Sequence, residues 1–412
     1  MTDLFNDLIK EYANCINCGF CETVCPTFSA TGGRGIFGPR GRIDLANSVV
    51  EEIKDHGQSS LRIENSFYSC LDCYACLQVC PAGVNAGKVS AYLKRIITEN
   101  DLIEKNQENA IAKMIVKITM KYKNPLGVRE KCASWARDIK FDQSSTILYT
   151  GNMYQMMAYS KKLENFLKGK DNLMKNGSKI IGSEPALIKL LSNFYDKSIM
   201  EKMEKYLKNI VQLLKYSGLK FSYLGNDEPY PGTMIFDLGY VKEFKIYAEE
   251  VTKLFHSKNV KRIVVIDPHT YDILKNEYPK YAKDFDFEVI YYLDFLTGLN
   301  FKKEDIIVTY HEPCHLKRRL DYDKPLELIH NISVLRLPIH NGKNTMCCGS
   351  LDEMLYPKIS DKVSELRFKE LKETNPEKII TSCPICFANL NKDDSVIDIS
   401  EFLLEHLSLK KS

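Results

Sequence analysis

Two short segments near the start of the chain, residues 15–25 and 70–80, each place four cysteines before a proline at the spacing C-x2-C-x2-C-x3-C-P. Thiolates at this spacing hold 4Fe-4S cubanes. Three of them on one tight loop reach one cluster, and the fourth ligates the neighbouring cluster. Two adjacent cubanes can move electrons one at a time. The predicted ligand sets are Cys15, Cys18, Cys21 and Cys80 for one cubane, and Cys70, Cys73, Cys76 and Cys25 for the other.

Zinc and disulfide bonds are the alternative uses of closely spaced cysteines. Tetrahedral zinc takes four ligands, usually from two separated C-x2-C pairs. Each run here instead crowds four cysteines together and ends in Cys-Pro. Disulfides are rare in the reducing compartment that we expect for this chain. The spacing therefore favours iron–sulfur clusters over both alternatives.

The bulk composition limits the classes of function. The chain has 412 residues, 44% of them hydrophobic, which suffices for about two to three domains with a buried core. Its formal net charge is +3 and no long run of one sign occurs, so nothing predicts a nucleic-acid partner. No apolar stretch has the length of a membrane span, and the first residues lack the basic and apolar regions of a signal peptide. We therefore expect a cytoplasmic protein.

The elements that must position the cysteines fall into successive segments. Residues 1–100 carry both runs, and helical periods starting at Ile43 and around Val89 predict an α-helical domain. Residues 101–144 keep a helical period and are expected to form a connector. From residue 145 onward β-rich runs alternate with helical stretches, which predicts α/β layers with mostly parallel sheets. The β-rich runs are Ile147–Tyr149, Ile180–Ile181, Phe221–Tyr223, Ile263–Ile266, Val289–Tyr292, Ile306–Val308 and Ile379–Ile380.

An internal repeat divides this α/β part. Residues 263–278 and 379–390 both read as a strand, then x-Pro-x-x, then a helix. This alignment predicts two copies of one scaffold, residues 145–300 without cysteines and residues 301–412 with five. The aligned positions are Pro268 with Pro384, Asp267 with Cys383, Thr270 with Cys386, Leu224-Gly225 with Cys347-Cys348, and Gly151-Asn152 with Pro313-Cys314.

The later copy carries a second constellation of thiols. We expect its cysteines in loops at the C-terminal ends of strands, the edge at which open α/β sheets bind ligands. Five thiols exceed what zinc or one cubane needs, and adjacent cysteines can each hold a different iron or bridge two irons. Reduced structural thiols and zinc are the alternatives. The five residues are Cys314, Cys347, Cys348, Cys383 and Cys386.

The succession Cys, Cys-Cys-Gly and Cys-Pro-x-Cys resembles the CCG domain of heterodisulfide reductase catalytic subunits. The whole chain is similar to that reductase's fused catalytic subunit, and equally to the iron–sulfur subunits of glycolate oxidase, anaerobic glycerol-3-phosphate dehydrogenase and lactate-utilisation oxidoreductases. Residues 38–43, 70–73 and 311–315 also look like this family. The resemblance implies an α+β multidomain fold, with an α-helical two-cluster ferredoxin domain followed by a duplicated CCG domain. It also implies a non-cubane 4Fe-4S cluster on the five later cysteines, with Cys347 and Cys348 as candidate catalytic residues. Only one complete CCG motif is present, whereas the reductases have two.

Several charged residues admit more than one interpretation. His311 and His315 could hydrogen-bond to cluster sulfides, which tunes potential, or cap their loop. The segment 317–319, Lys-Arg-Arg, could compensate cluster charge, bind a carboxylate substrate or be a solvated helix start. Three arginines, Arg34, Arg40 and Arg42, could meet an acidic partner, although bracing of their loop is favoured.

The sequence predicts an iron–sulfur electron-transfer subunit of a multi-subunit oxidoreductase. It has no strand followed by G-x-G-x-x-G and no P-loop, so a flavin would belong to a partner. That partner would be an FAD-containing dehydrogenase acting on a 2-hydroxy acid or glycerol 3-phosphate. The acceptor would be a quinone or thiol carrier, reached through a membrane anchor or quinone-linked partner at the inner face of the membrane. The alternatives are a disulfide reductase acting at the CCG cluster and a zinc-bearing assembly protein.

Overall fold

The computed structural model of the protein describes residues 2–99, 102–103, 109–167, 193–350 and 354–408. The N-terminal part is helical, as predicted. Its longest helix, Pro39–His56, begins with proline in the first turn, where no N–H is needed. It ends at Gly57, which is left-handed at φ 78° and donates its N–H to Ile53 O at 2.8 Å. The apolar face of this helix packs against the helix Ala86–Glu99.

The helices of the described residues alternate with loops and strands along the whole chain. Within the described ranges, no helix has the combination of length and apolar character that crossing a membrane requires. The α-helices are Thr2–Tyr12, Phe20–Thr23, Pro26–Ala30, Pro39–His56, Glu64–Tyr68, Ala75–Gln78, Ala86–Glu99, Ala110–Tyr122, Arg129–Cys132, Met153–Leu167, Lys197–Tyr216, Thr233–Asp237, Val241–Ser257, Pro268–Asp272, Tyr278–Tyr281, Lys324–Ile332, Pro357–Glu373, Pro384–Leu390 and Ile399–Glu405, and the π-helical turns are Ile273–Glu277 and His315–Arg319.

The strands of the described residues form two four-stranded sheets. Every pairing is parallel, and the strand order is β2-β1-β3-β4 in the first sheet and β6-β5-β7-β8 in the second. The expected α+β architecture is therefore confirmed. The strands are β1 (Thr146–Tyr149), β2 (Ser222–Tyr223), β3 (Arg262–Val265), β4 (Glu288–Tyr291), β5 (Ile307–His311), β6 (Val334–Leu335), β7 (Lys378–Thr381) and β8 (Val396–Asp398).

The two sheets are copies of one scaffold. Tyr149 pairs with Val265 at the end of β1 and β3, as His311 pairs with Thr381 at the end of β5 and β7. Counting onward from these pairs puts Asp267 at the position of Cys383. Both residues precede a helix that starts with proline. The short strands β6 and β8 were not predicted from the sequence, and the predicted run at residues 180–181 lies outside the described residues.

The helical domain contacts the segment between strands β2 and β3 at Asp237 and Gly239. Thr98 donates its hydroxyl hydrogen to Gly239 O at 2.7 Å, and Lys94 Nζ donates to Asp237 O at 3.2 Å. Gly239 has φ +90°, and a Cβ added there would lie 2.5 Å from the backbone carbon of Lys94. The close approach of the two domains therefore requires glycine at this position.

We predict that Gly239→Ala lowers the free energy of unfolding by roughly 2–4 kcal/mol, because it combines a strained φ with a backbone clash. Gly298→Ala is the matched control, since a Cβ there meets no atom within 4 Å. It should change stability by less than about 0.5 kcal/mol. Urea unfolding followed by circular dichroism measures both. Equal stability of the two variants would show that the domains do not depend on this contact.

Candidate functional site

The two N-terminal cysteine runs fold into loops of the same backbone shape. The second residue after the first cysteine is left-handed in both loops, with φ 57° at Asn17 and 45° at Asp72. The fourth residue is also left-handed, with φ 81° at Gly19 and 57° at Tyr74. A short helix begins one residue later in each loop. Two left-handed residues in such a short span coil the chain, so that its thiols can converge.

Cys80, from the second run, lies beside the loop of the first run. Burial raises the pKa of Cys21 to about 11, and the negative charges of Glu22, Cys15 and Cys80 add to this rise. The thiols of Cys15, Cys21 and Cys80 are therefore close neighbours. Cys18, the fourth residue of this set, is exposed on the same loop.

Cys25, from the first run, lies in turn beside the loop of the second. Burial raises the pKa of Cys76, and the thiols of Cys70, Cys73 and Cys25 contribute to the increase. All four of these cysteines line one cavity. The structure describes all fourteen cysteines of the chain, and none forms a disulfide bond. Convergent free thiols of this kind are a suitable donor set for iron–sulfur clusters.

Arg42 ties the two cysteine runs together. Its guanidinium is buried, and Nε donates to Ser66 O at 2.7 Å. Its Nη2 donates to Thr27 Oγ1 and to Ser69 Oγ, both at 3.2 Å. Thr27 lies two residues after Cys25, and Ser69 directly precedes the second run. Arg42 therefore braces the loops, as favoured from the sequence.

The five later cysteines are all buried at the C-terminal edge of the second sheet. Cys314 follows β5. Cys383 precedes the helix Pro384–Leu390 and Cys386 lies in its first turn. The positive end of a helix dipole favours thiolates there. Cys347 and Cys348 come from the loop after β6, and hydrogen bonds join the Cys347 thiol to Cys314 and Cys348. The structure thus brings all five thiols to one place.

The loop of Cys347 and Cys348 depends on the glycine that follows. Gly349 has φ +92°, and a Cβ there would lie 2.5 Å from Ser360 O on the helix Pro357–Glu373. Glycine therefore lets the loop turn and also lets it press against this helix. Both adjacent cysteines stay buried as a result.

His311 faces these thiols and is oriented by an arginine that the sequence did not single out. Arg367, fully buried on the helix Pro357–Glu373, donates from Nε to His311 Nδ1 at 3.1 Å and pairs with Glu370 at 2.7 Å. A neutral imidazole that accepts at Nδ1 carries its proton on Nε2. A ring nitrogen of His311 lies within 4.8 Å of the sulfur atoms of Cys348 and Cys386. His311 can thus donate a hydrogen bond to sulfur at this site.

The second N-terminal loop touches the five-cysteine site. A hydrogen bond with the Cys347 thiol lowers the pKa of Cys73 to about 6. Leu71 packs with Cys314, Cys347 and Val363 in one small apolar cluster. The two sites are therefore in direct contact, without a layer of protein between them.

Arg318 joins the backbones of both sites. It lies in the π-helical turn His315–Arg319 just after Cys314, a geometry that often occurs at functional sites. Its Nη1 donates to Cys73 O at 2.7 Å, its Nε to Lys343 O at 2.9 Å, and its Nη2 to Thr345 O. The guanidinium therefore fixes the loop of Cys73 against the loop that leads to Cys347.

Arg319 makes a second bridge, which also involves the cysteine-free copy. Its Nη2 donates to Asp72 O at 2.8 Å, its Nη1 pairs with Asp272 Oδ2 at 3.0 Å, and its guanidinium stacks 4.3 Å from the centre of the Tyr74 ring. His315 Nδ1 shares Asp272 Oδ2 at 2.9 Å, and its ring stacks on His269 at 3.9 Å. These contacts are incompatible with a solvated helix start at residues 317–319.

The matching edge of the first sheet holds oxygen atoms in place of thiols. Asp267 Oδ1 accepts the N–H of Thr270 at 2.9 Å, and Glu228 accepts hydrogen bonds from the backbone and hydroxyl of Thr150. Burial raises the pKa of Asp267 to about 6 and that of Glu228 to about 8. Buried carboxyl groups therefore occupy this edge, and among the described residues Asp267 Oδ2 and Thr270 Oγ1 form no hydrogen bond.

The raised pKa of Glu228 predicts that the stability of the protein depends on pH. Its pKa is higher in the folded protein than in the unfolded chain, so unfolding releases a proton between these two values and stability falls as pH rises. Between about pH 6 and pH 8, wild-type protein should lose stability relative to Glu228→Gln by up to about 1.4 kcal/mol per pH unit. Glu288→Gln, at an exposed ion pair, is the control and should track the wild type. Parallel pH profiles for all three proteins would contradict the prediction.

Comparison with known families places both sets of cysteines inside matched segments. Residues 11–84 match the family described as a 4Fe-4S dicluster domain, and residues 308–391 match the cysteine-rich domain of the CCG type. The first segment contains both N-terminal runs. The second contains all five later cysteines. The cofactors of this protein are thus iron–sulfur clusters.

Individual relatives extend the similarity over most of the chain. It is 23% identical to a subunit of the dihydromethanophenazine:CoB–CoM heterodisulfide reductase of Methanosarcina barkeri, over 98% of this chain and 96% of that protein. It is 23% identical to the probable glycolate oxidase iron–sulfur subunit of Bacillus subtilis, over 92% of this chain and 88% of that protein. It is 29% identical to the EtfAB:quinone oxidoreductase of Syntrophomonas wolfei, over 47% of this chain and 31% of that protein. The chain thus combines a 4Fe-4S dicluster domain with a CCG-type cysteine-rich domain and is similar over most of its length to iron–sulfur oxidoreductase subunits.

Proposed function

We propose that this protein is the iron–sulfur electron-transfer subunit of a multi-subunit oxidoreductase. It would hold two cubanes on the crossed N-terminal ligand sets and a non-cubane cluster on the five later cysteines. Bound clusters supply one-electron transfer. The observation that carries the proposal is the unbroken succession of thiols, from exposed Cys18 through the second loop to the contact of Cys73 with Cys347.

The protein around the thiols is arranged to hold negative charge. Arg42 and Lys94 both act on Cys70, where each lowers a pKa that burial has raised. Lys94 pairs with Asp72 at 2.6 Å inside the protein. Arg318 acts in the same way on Cys73. Cations and N–H groups near cluster ligands stabilise the reduced, more negative state and so tune its potential.

The electron donor in this proposal is a flavoprotein dehydrogenase of the 2-hydroxy acid or glycerol 3-phosphate type, and the acceptor is a quinone or thiol carrier. The chain carries no nucleotide-binding glycine motif of its own. Two relatives support the assignment by name, one as a glycolate oxidase subunit and one as a quinone oxidoreductase. The two-electron chemistry at a hydroxy acid would then take place on the partner.

A second candidate function is reduction of a disulfide at the five-cysteine site. The heterodisulfide reductase relative aligns with nearly the whole chain, which favours it. The site also offers a hydrogen-bond donor to sulfur, because neutral His311 carries its proton on Nε2 close to Cys348 and Cys386. Reduction of a disulfide by the isolated protein, with reduced viologen as electron donor, would support this second function. Copurification with a flavoprotein would support the electron-transfer function instead.

The two copies of the α/β scaffold provide a matched test of metal content. Asp267 and Cys383 occupy equivalent positions before equivalent helices. Anaerobically purified wild type should contain about twelve irons, four for each cluster. Cys383→Ala should lose about four of them, whereas Asp267→Ala should keep all and lose only the cap, about 1 kcal/mol of stability. Iron loss in Asp267→Ala would mean that the first copy also binds a cluster, and zinc in place of iron would overturn the proposal.

Cys348→Ala tests whether the five-cysteine site is the terminus of electron transfer. Both N-terminal cubanes should remain reducible by dithionite, while electron delivery to the acceptor is lost, because the variant removes a ligand from the last site only. Electron paramagnetic resonance of the reduced variant and an activity assay on the reconstituted complex measure the two effects. Cys132→Ala is the control, since this thiol is buried outside the three ligand sets. Full activity of Cys348→Ala would leave the later site with a structural role.

A further inference from the structure

The surface around the first cysteine run is unusually apolar. Ile16 is 68% exposed, Phe20 58% and Ile36 54%. Ile16 and Phe20 flank Cys18, the one exposed thiol among the fourteen cysteines, all of which the structure describes. A Cβ added at Gly19 would lie 3.6 Å from Arg40 Nη1, and one at Gly41 would clash with Gly35 O, so the loop of Ile36 lies close to the first run. Exposed apolar side chains grouped in this way mark interaction sites on proteins. We call this surface, formed by Ile16, Cys18, Phe20, Arg34 and Ile36, the first-run face.

A glycine-rich loop beside the first-run face adds few side chains that would hold a partner protein away from the thiols. Gly32 and Gly35 lie in the same loop as Arg34, and a Cβ at either glycine would meet no atom within 4 Å. Gly32 and Gly33 are also left-handed, with φ +70° and +81°. Because electron transfer slows steeply with distance, a surface without side chains beside the thiols lets a partner approach closely.

The exposed charge on this face is net positive, because two exposed arginines stand against one exposed carboxylate, Asp44, which accepts a hydrogen bond from Asn17 Nδ2 at 3.2 Å. Arg34 is exposed and forms no ion pair within the described part of the chain. Arg40 pairs with Glu22 at 3.4 Å and remains 44% exposed on its side chain. A partner with carboxylates around an apolar centre would complement both the charge and the apolar side chains.

The other thiol sites are less accessible to a protein partner. Cys25, Cys70 and Cys76 are buried, and so are all five cysteines of the later site. Of the three ligand sets, only the first therefore has an exposed thiol, Cys18, that a protein partner can approach directly. A lipid surface is a poorer occupant, because the polar backbone of the glycine loop would lose its water without gaining hydrogen bonds.

We propose that the first-run face is the docking surface for the flavoprotein partner, whose flavin edge is apolar and rimmed by carboxylates. This inference rests on the proposed electron-relay function. Arg34 and Arg40 steer the acidic rim toward the face, and Ile16, Phe20 and Ile36 are buried on contact. The flavoprotein thereby reaches the first ligand set and no other.

Flavodoxin, a small acidic flavoprotein, serves as the probe, and its dissociation constant with the cluster-loaded protein is measured by calorimetry. Arg34→Glu and Phe20→Ser should each weaken binding about tenfold, and added salt should weaken binding of the wild type. The control variants Lys245→Glu and Ile246→Ser lie on an exposed part of the helix Val241–Ser257 and should bind as the wild type does. Iron content and reduction by viologen should be the same in all variants.

Absence of binding by the wild type, or equal binding by all variants, would overturn the docking proposal. Binding to anionic vesicles that Arg34→Glu and Phe20→Ser abolish would overturn it in favour of a membrane surface. Failure of the electron-relay function gives a different result. In that case flavodoxin binding would respond to the variants, but viologen-reduced protein would not reduce a quinone or disulfide.

Discussion

Burial of many thiolates in a small volume is the constraint on which the rest of this structure depends. Thiolates repel one another, and burial disfavours their charged form. Both effects raise the pKa of the thiol of Cys76 at the second run. Metal ions offset the repulsion, and the protein adds cations at close range. Arg42, Lys94 and Arg318 are each buried or part-buried near the thiols and anchored by hydrogen bonds.

The same constraint explains the unusual backbone around the cysteines. Thiols on one short segment converge only if the chain coils, and left-handed residues at Asn17, Gly19, Asp72 and Tyr74 provide this. Three of these four are not glycine, so their conformation carries strain that the surrounding packing must hold. Tyr74 is held by its contact with Arg319. The arginine that joins the sites thus also stabilises the loop that positions the thiols.

Residue types and spacing predicted the helical first domain and the duplicated α/β scaffold, because these features leave local patterns in the sequence. The cysteine ligand sets stay a prediction, although the structure brings their thiols together. The strands β6 and β8 have two and three residues and leave no such pattern. Arg367 and Asp272 were missed for a different reason. Each is one polar residue on an otherwise ordinary helix, and its role comes from a partner, His311 or Arg319, that lies far away in the sequence. Only the tertiary fold brings such pairs together.

The cysteine-free copy of the scaffold contributes to the site of the other copy. Asp272, on the helix that corresponds to the one carrying Cys386, holds Arg319 and His315. Against the effect of burial, the charges of Arg319 and His315 keep the pKa of Asp272 well below its usual range. Arg319 then reaches the backbone of Asp72 beside the second run. A carboxylate in the copy without thiols therefore connects the two copies and the helical domain, which gives that copy a structural role even though Asp267 and Thr270 stand where the other copy has Cys383 and Cys386.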